Sequence, residues 1–295
     1  MAQTAAVVDV GSNTVRLLVA RMGADRIEQT HTERVRIGLA HELEATGRVP
    51  EDRIYTTAEA VGRLVDEAHA RRAEAIDIFI TAPGRQAENA LELVAAIERA
   101  AGRRVRILTP DEEARLAFTG AVALSRPAAR LVAVVDLGGA STEIAVGSPD
   151  RGPDWARSID LGALRLTARL LERMPPHRTE LEAAHADVAA AFAGVAPPLP
   201  FAALAVGGSA RALGRVFGGT LERGELSAAV SILARTHPDE IARRFGVGNS
   251  RAPLLLAASL ILAEVQRRLL VPLHVSEGGV REGALLAVAR EAAAA

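Results

Sequence analysis

Two short stretches hold most of the residues that could do chemistry. VVDVGSNTVRLLVA from Val7 and VVDLGGASTEIAVG from Val134 follow one plan: apolar strand, aspartate, spacer, glycine, small polar residues, second apolar run. Each predicts a hairpin whose tip exposes backbone N–H groups. Glycine lets the main chain approach an anion closely, and small hydroxyl or amide side chains add donors. In the first copy the donors are Gly11, Ser12, Asn13 and Thr14; in the second they are Gly138, Gly139, Ala140, Ser141 and Thr142. Asp9 and Asp136, just before the tips, are hard oxygen ligands suited to Mg²⁺ or Mn²⁺, directly or through water. A single Asp-x-Gly turn is common in structural loops. Two copies with the same order of parts point to a duplicated domain, its tips closing on one cleft to clamp a phosphate chain.

Three further stretches add groups of the same kind. In LAVGGSARALGRV, Gly207, Gly208 and Ser209 lie between a strand and a helix, so helix N-terminal N–H groups could meet a phosphate. Taken alone, that stretch fits a tight strand-to-helix connection equally well. LTPDEEARLAF puts a carboxylate pair at a helix start, where acids commonly form a solvated first turn. The functional alternative is a base, Glu113 or Glu112, that deprotonates or orients an attacking water. In TAPGRQAEN, Arg85 and Asn89 fall one helical turn apart directly after a strand, and a guanidinium offers a planar fork for phosphate oxygens.

Composition removes several chemistries. The chain has 295 residues, no cysteine and, among its 35 cationic side chains, no lysine. Disulfides, thiolate sites, a Walker-type phosphate loop and a Schiff-base lysine are therefore excluded. Any anion must be held by arginine, by backbone N–H groups or through a metal. The seven histidines are scattered without ligand spacing, HELEA at His41 is not a His-Glu-x-x-His zinc motif, and the histidines are read as structural. No phosphocysteine, phosphohistidine or phosphoaspartate motif is present, which leaves direct attack by water. A net charge of −1 gives no global field for nucleic acid. No signal peptide is read at the amino terminus, and the longest apolar run, from Pro253 to Val265, is too short for a bilayer and is interrupted by Ser259 and Glu264. The expectation is a soluble, cytoplasmic protein with no membrane or nucleic-acid partner.

The elements that must position these groups alternate between strand and helix, which argues for an α/β fold. Strands are expected at Val7–Val10, Val15–Ala20, AIDIFITAP, RVRILTP, Leu131–Val135, FAALAV and the start of SIDLGALRLTARLL, which runs on into a helix. Helices are expected over Pro50–Ala73, Arg85–Ala101, DEEARLAFTGAVAL, the segment between the proline-rich ends PPH and PPLP, and most of the remainder. The chain is too long for one ordinary compact unit. A boundary near Leu124 gives domains 1–124 and 125–281, with the closing segment 282–295 a candidate to return to the first.

Taken in order, these motifs resemble the exopolyphosphatase/guanosine pentaphosphate phosphohydrolase (Ppx/GppA) family of the actin- and hexokinase-like superfamily. The likeness also runs through ERVRIG, SIDLGALRLT, NSRAPLLLAASLILAEV and VREGALL. It implies two ribonuclease H-like domains with a phosphate-binding cleft between them, in a short form without added carboxy-terminal domains. It implies Mg²⁺-assisted hydrolysis of the terminal phosphate of inorganic polyphosphate, or alternatively of guanosine pentaphosphate. By position, Glu113 would be the base, Asp136 and Glu143 would govern the metal and its water, and Arg85 would hold the phosphate. Ser12, Asn13, Gly139, Ser141 and Gly208 would line the track. A homodimer is expected on the same ground. A phosphotransferase of the same superfamily and a non-catalytic polyphosphate or ppGpp sensor are the competing readings.

Overall fold

The computed structural model describes residues 3–23, 27–171 and 173–294, except the side chains of Gln3, His41 and 292–294. It has two compact units, Met1–Ala123 with Val280–Ala295, and Leu124–Gly279. Each has its own apolar core.

The first unit is built on five strands: β1 (Gln3–Val10), β2 (Thr14–Met22), β3 (Ile27–Arg36), β4 (Ala75–Ile80) and β5 (Arg106–Ile107). Their spatial order is β3-β2-β1-β4-β5, antiparallel from β3 to β1 and parallel from β1 to β5. Its helices are α1 (Leu39–Thr46), α2 (Glu51–Ala70), α3 (Ala82–Gln86), α4 (Ala90–Ala101), α5 (Pro110–Ser125), which runs two residues past the unit's boundary, and α12 (Val280–Ala294). β1 is apolar on both faces, as a central strand covered on each side must be. Ala6, Val8 and Val10 join the core made with α2 and α4. Ala5 and Val7, also buried, point the other way. Asp9 shares their parity, which puts it on the opposite face of β1 from that core.

The second unit repeats this plan. Its strands are β6 (Val132–Leu137), β7 (Thr142–Ser148), β8 (Gly152–Ile159), β9 (Ala202–Val206), β10 (Thr220–Leu221) and β11 (Leu273–Val275), in the order β10-β11-β9-β6-β7-β8. Reading β6, β7, β8, β9 and β11 for β1 to β5 gives the same neighbours and the same directions. Around it lie α6 (Ala163–Leu170), α7 (Arg178–Ala191), α8 (Gly208–Phe217), α9 (Arg223–Leu233), α10 (Pro238–Phe245), a 3-10 turn (Ala252–Leu254) and α11 (Leu255–Leu269). The duplication read from two hairpins therefore extends to both sheets.

Three expectations are corrected. The helix expected over Arg85–Ala101 is two helices, α3 and α4, with a break between them. Asn89 causes it: this buried side chain accepts from Val49 N and donates to Val49 O, each at 2.9 Å. Asn89 thus bridges to the loop before α2, and Arg85 and Asn89 do not lie on one helix. Pro83 sits in the first turn of α3, where its missing N–H removes no helical bond. RVRILTP yields only the two-residue β5. Strands β3, β10 and β11 and helix α1 come in addition to the elements expected.

Removing the Asn89 amide leaves a buried N–H and C=O of Val49 without partners, at about 1–3 kcal/mol for each group. Asn89→Ala is expected to lower the unfolding free energy by at least about 2 kcal/mol, read from urea denaturation. An unchanged midpoint would show that the bridge does not hold the α3–α4 break.

Candidate functional site

The residues singled out in each unit gather at the carboxyl ends of its parallel strands, where open α/β sheets place ligands. In the first unit the tip after β1, helix α3 after β4 and helix α5 after β5 all begin at this edge. Thr81 N, donating to Val10 O at 3.1 Å, ties the ends of β4 and β1 together.

The two tips are closed alike. Gly11 N donates to Thr14 O at 3.1 Å, and Gly138 N donates to Ser141 O at 3.0 Å. These amides shape the turns and are not turned outward as donors, contrary to expectation. Carbonyls on each tip accept from the start of the next helix. Asn13 O takes Ile37 N and Gly38 N, and Ser12 O takes Ala40 N; Gly138 O takes Ala163 N, and Gly139 O takes Leu164 N and Arg165 N. Among the described residues, the amides of Ser12, Asn13, Gly139 and Ala140 donate to no protein acceptor, which leaves each tip with donors for an anion. Ser12 and Ser141 are buried. Thr142 is corrected: fully buried, its hydroxyl donates to Leu161 O at 2.6 Å and supports the sheet.

The copies differ in charge. Seven residues after Asp9 stands Arg16, and seven after Asp136 stands Glu143. The register pairs Asp9 with Arg16 and Asp136 with Glu143 across their hairpins. Directly opposed residues share a face, with Cβ atoms about 4.5–5.5 Å apart. The first tip thus has an acid beside a cation, whose Nε donates to Thr14 Oγ1 at 3.2 Å, and the second has two acids side by side. Arg16 was not among the residues singled out from sequence. Burial pushes the Asp9 carboxyl above the ordinary range, Arg16 and Arg281 pull it down, and Glu282 adds to the rise.

Glu143 is buried and accepts from Ser158 Oγ at 2.7 Å. Among the described residues no group of three or more histidine, aspartate or glutamate side chains is gathered as a metal site. Asp136 and Glu143 are instead a two-carboxylate, oxygen-only set. That fits Mg²⁺, which commonly takes one or two carboxylates and completes its shell with water and phosphate oxygens.

The acidic pair of α5 separates into two roles. Glu112 Oε2 accepts from Thr109 N and Thr109 Oγ1, both at 2.8 Å, while Glu112 N donates to Thr109 Oγ1 at 3.2 Å. This reciprocal cap starts the helix, and the Thr109 backbone bond pulls the Glu112 carboxyl below its usual range. Glu113 turns inward and is buried, and its Oε2 accepts from Arg85 Nη1 at 2.8 Å. The same Nη1 donates to Leu108 O at 2.7 Å, so these contacts do not use the Nη2 and Nε edge of the guanidinium.

In the second unit, Asp136 pairs with Val206 on β9, so its tip abuts the Gly207–Ser209 connection. Gly207 has φ +99°, and a β-carbon there would lie 2.5 Å from Leu137 O and 3.1 Å from Asp136 Oδ1. Only glycine fits this turn. Over the start of α8 lies Arg251, a second group not singled out from sequence. Its Nη1 donates to buried Ser209 Oγ at 3.1 Å, and its Nη2 would be 2.7 Å from a β-carbon on Gly208. A cation at a helix N-terminus opposes the helix dipole.

A family model described as the Ppx/GppA phosphatase family matches residues 18–292. Exopolyphosphatase 2 of Mycobacterium tuberculosis is 33% identical over 188 residues, 61% of this chain and 58% of that protein. The match thus spans little more than half of that relative's length. Exopolyphosphatase 1 of Mycobacterium bovis is 27% identical over 306 residues, 95% of this chain and 86% of that protein. Among solved structures, the Aquifex aeolicus PPX-GPPA enzyme has a TM-score of 0.83 at 25% identity, covering 97% of this chain and 100% of that one. Shared architecture, repeated tips and a family match over almost the whole length agree: this chain belongs to the Ppx/GppA phosphatase family.

Proposed function

We propose that this chain is an exopolyphosphatase, releasing the terminal phosphate of inorganic polyphosphate by direct attack of water. The observation that carries the reading is the buried Arg85–Glu113 pair at the carboxyl edge of the first sheet. Arg85 binds the terminal phosphate through its remaining guanidinium N–H groups. That puts the phosphate beside Glu113, which accepts a proton from the attacking water. The new P–O bond forms at the terminal phosphorus, the bridging P–O bond breaks, and the shortened chain leaves with the electron pair. Phosphate oxygens are bound in the first unit by the tip amides of Ser12 and Asn13, and in the second by those of Gly139 and Ala140 with Ser141 and Ser209. Asp136 and Glu143 in the second unit, and Asp9 in the first, are the carboxylates that would hold Mg²⁺ (or Mn²⁺), which would supply positive charge to phosphate oxygens.

Support for polyphosphate comes from the names of the relatives and from an aromatic content of only 3%, which offers little for stacking a guanine. Guanosine pentaphosphate is the alternative substrate for the same chemistry. The test is phosphate release from short polyphosphate, long polyphosphate and pppGpp, each with and without Mg²⁺. The expected result is metal-dependent release from polyphosphate in preference to pppGpp. Tight binding with no release at any Mg²⁺ concentration would overturn the enzyme reading in favour of a sensor.

Glu113→Gln is expected to lower kcat by about 100- to 10,000-fold while leaving polyphosphate binding in place. Unchanged turnover would remove Glu113 as the base. Asp9→Asn is expected to lower activity yet raise the melting temperature. The raised folded-state pKa means that ionised Asp9 costs stability at neutral pH. The gain is full above the raised folded-state value and fades as pH falls from there toward the ordinary carboxyl range. A variant less stable than the parent at neutral pH would contradict the sign.

A further inference from the structure

The closing helix α12 has no role in the reading above, yet at Gly283 its first turn packs directly on the main chain of α5. α12 lies against β1, β4 and β2. Glu282, in that turn, is only 3% exposed and accepts from Gln29 Nε2 on β3 at 3.4 Å; Arg281 Nη2 is 3.8 Å from the same Oε1. A buried acid tied in this way resists rolling of the helix, since rotation would strip a desolvated charge of its partners.

Gly283 comes next. A β-carbon there would lie 2.0 Å from Leu116 O, 2.7 Å from its carbonyl carbon and 2.9 Å from its Cα. All three are main-chain atoms of α5, which cannot swing aside as a side-chain end can. By comparison, a β-carbon on Gly62 would lie 3.0 Å from Ala100 O. Leu116 is three residues after Glu113, one turn along the same helix and on the same side. Where α12 presses on α5 is therefore next to the acid that meets Arg85.

We propose that Gly283 is a positioning residue for Glu113: it lets α12 seat on the bare backbone of α5 and so sets where Glu113 stands against Arg85. This rests on the reading of Glu113 as the base. Ordinary contact needs at least 3.4 Å where 2.0 Å is available, so a β-carbon must displace one helix from the other. A misplacement of about 1 Å can cost about 100-fold in rate.

The test measures kcat and KM for phosphate release from polyphosphate, with melting temperatures, in four variants beside the parent. Gly283→Ala is expected to lower kcat by about 10- to 100-fold while KM stays within about twofold. Gly62→Ala, which strains the α2–α4 contact, is expected to lower the melting temperature and leave kcat unchanged. Val280→Ala trims an anchor of α12 without adding an atom; it is expected to lower kcat by about 2- to 5-fold and decides the matter if Gly283→Ala does not fold. An unchanged kcat in folded Gly283→Ala, or in Val280→Ala where the first does not fold, overturns the proposal. So does a loss in Gly62→Ala matching that in Gly283→Ala, since the effect would then be general destabilisation. Glu113→Gln separates the layers. If it abolishes turnover while Gly283→Ala does not, positioning alone fails; if it retains turnover, the base assignment fails and positioning with it.

Discussion

The contact on which the candidate site most depends is a single buried ion pair. Arg85 and Glu113 meet at 2.8 Å with both side chains mostly out of water, one at the end of a five-residue helix and the other in the first turn of α5. Burying two charges is costly unless geometry and added hydrogen bonds compensate. The Leu108 carbonyl supplies one such bond, and the link runs through the strands on which the two helices begin. A merely structural contact at this position would be at least as stable if built from apolar groups of similar volume. The pair's place, at the carboxyl edge of a parallel sheet, is where open α/β sheets put their ligands.

The same edge explains why so many other groups lie there. In a strand–helix connection the chain must turn at the carboxyl end of a strand, and turning exposes main-chain amides. Both units use this, and both brace the carbonyl side of the tip with the start of the following helix. The bracing settles which face of the tip remains for a ligand: carbonyls are engaged on one side, and free amides are left on the other. A negative ligand is matched to that remainder before any side chain is considered.

Much of this was legible in the sequence, because strand–tip–strand patterns combine strong apolar runs with small residues that only tight turns require. The parts that were not legible have physical reasons. β3 reads IEQTHTERVR, an edge strand with polar residues on both faces, and so lacks the apolar signal of β1. β10 and β11 have two and three residues, too few for a period. The α3–α4 break depends on Asn89 meeting Val49, a partner forty positions away that local pattern cannot show. Arg251 likewise reaches Ser209 only through the fold. Arg16 differs, since aligning the two copies on their aspartates places it opposite Glu143.

That alignment carries the last step. A duplicated fold begins with two equivalent tips, and equivalent tips would compete for the same ligand. Exchanging one residue on the shared face makes them different: arginine beside the first aspartate, glutamate beside the second. Opposed carboxylates repel unless a cation or hydrogen bonds join them, whereas a guanidinium beside an acid offsets part of its charge. The duplication thus supplies two copies of one tip, and the single charge exchange leaves one with an acid beside a cation and the other with two acids.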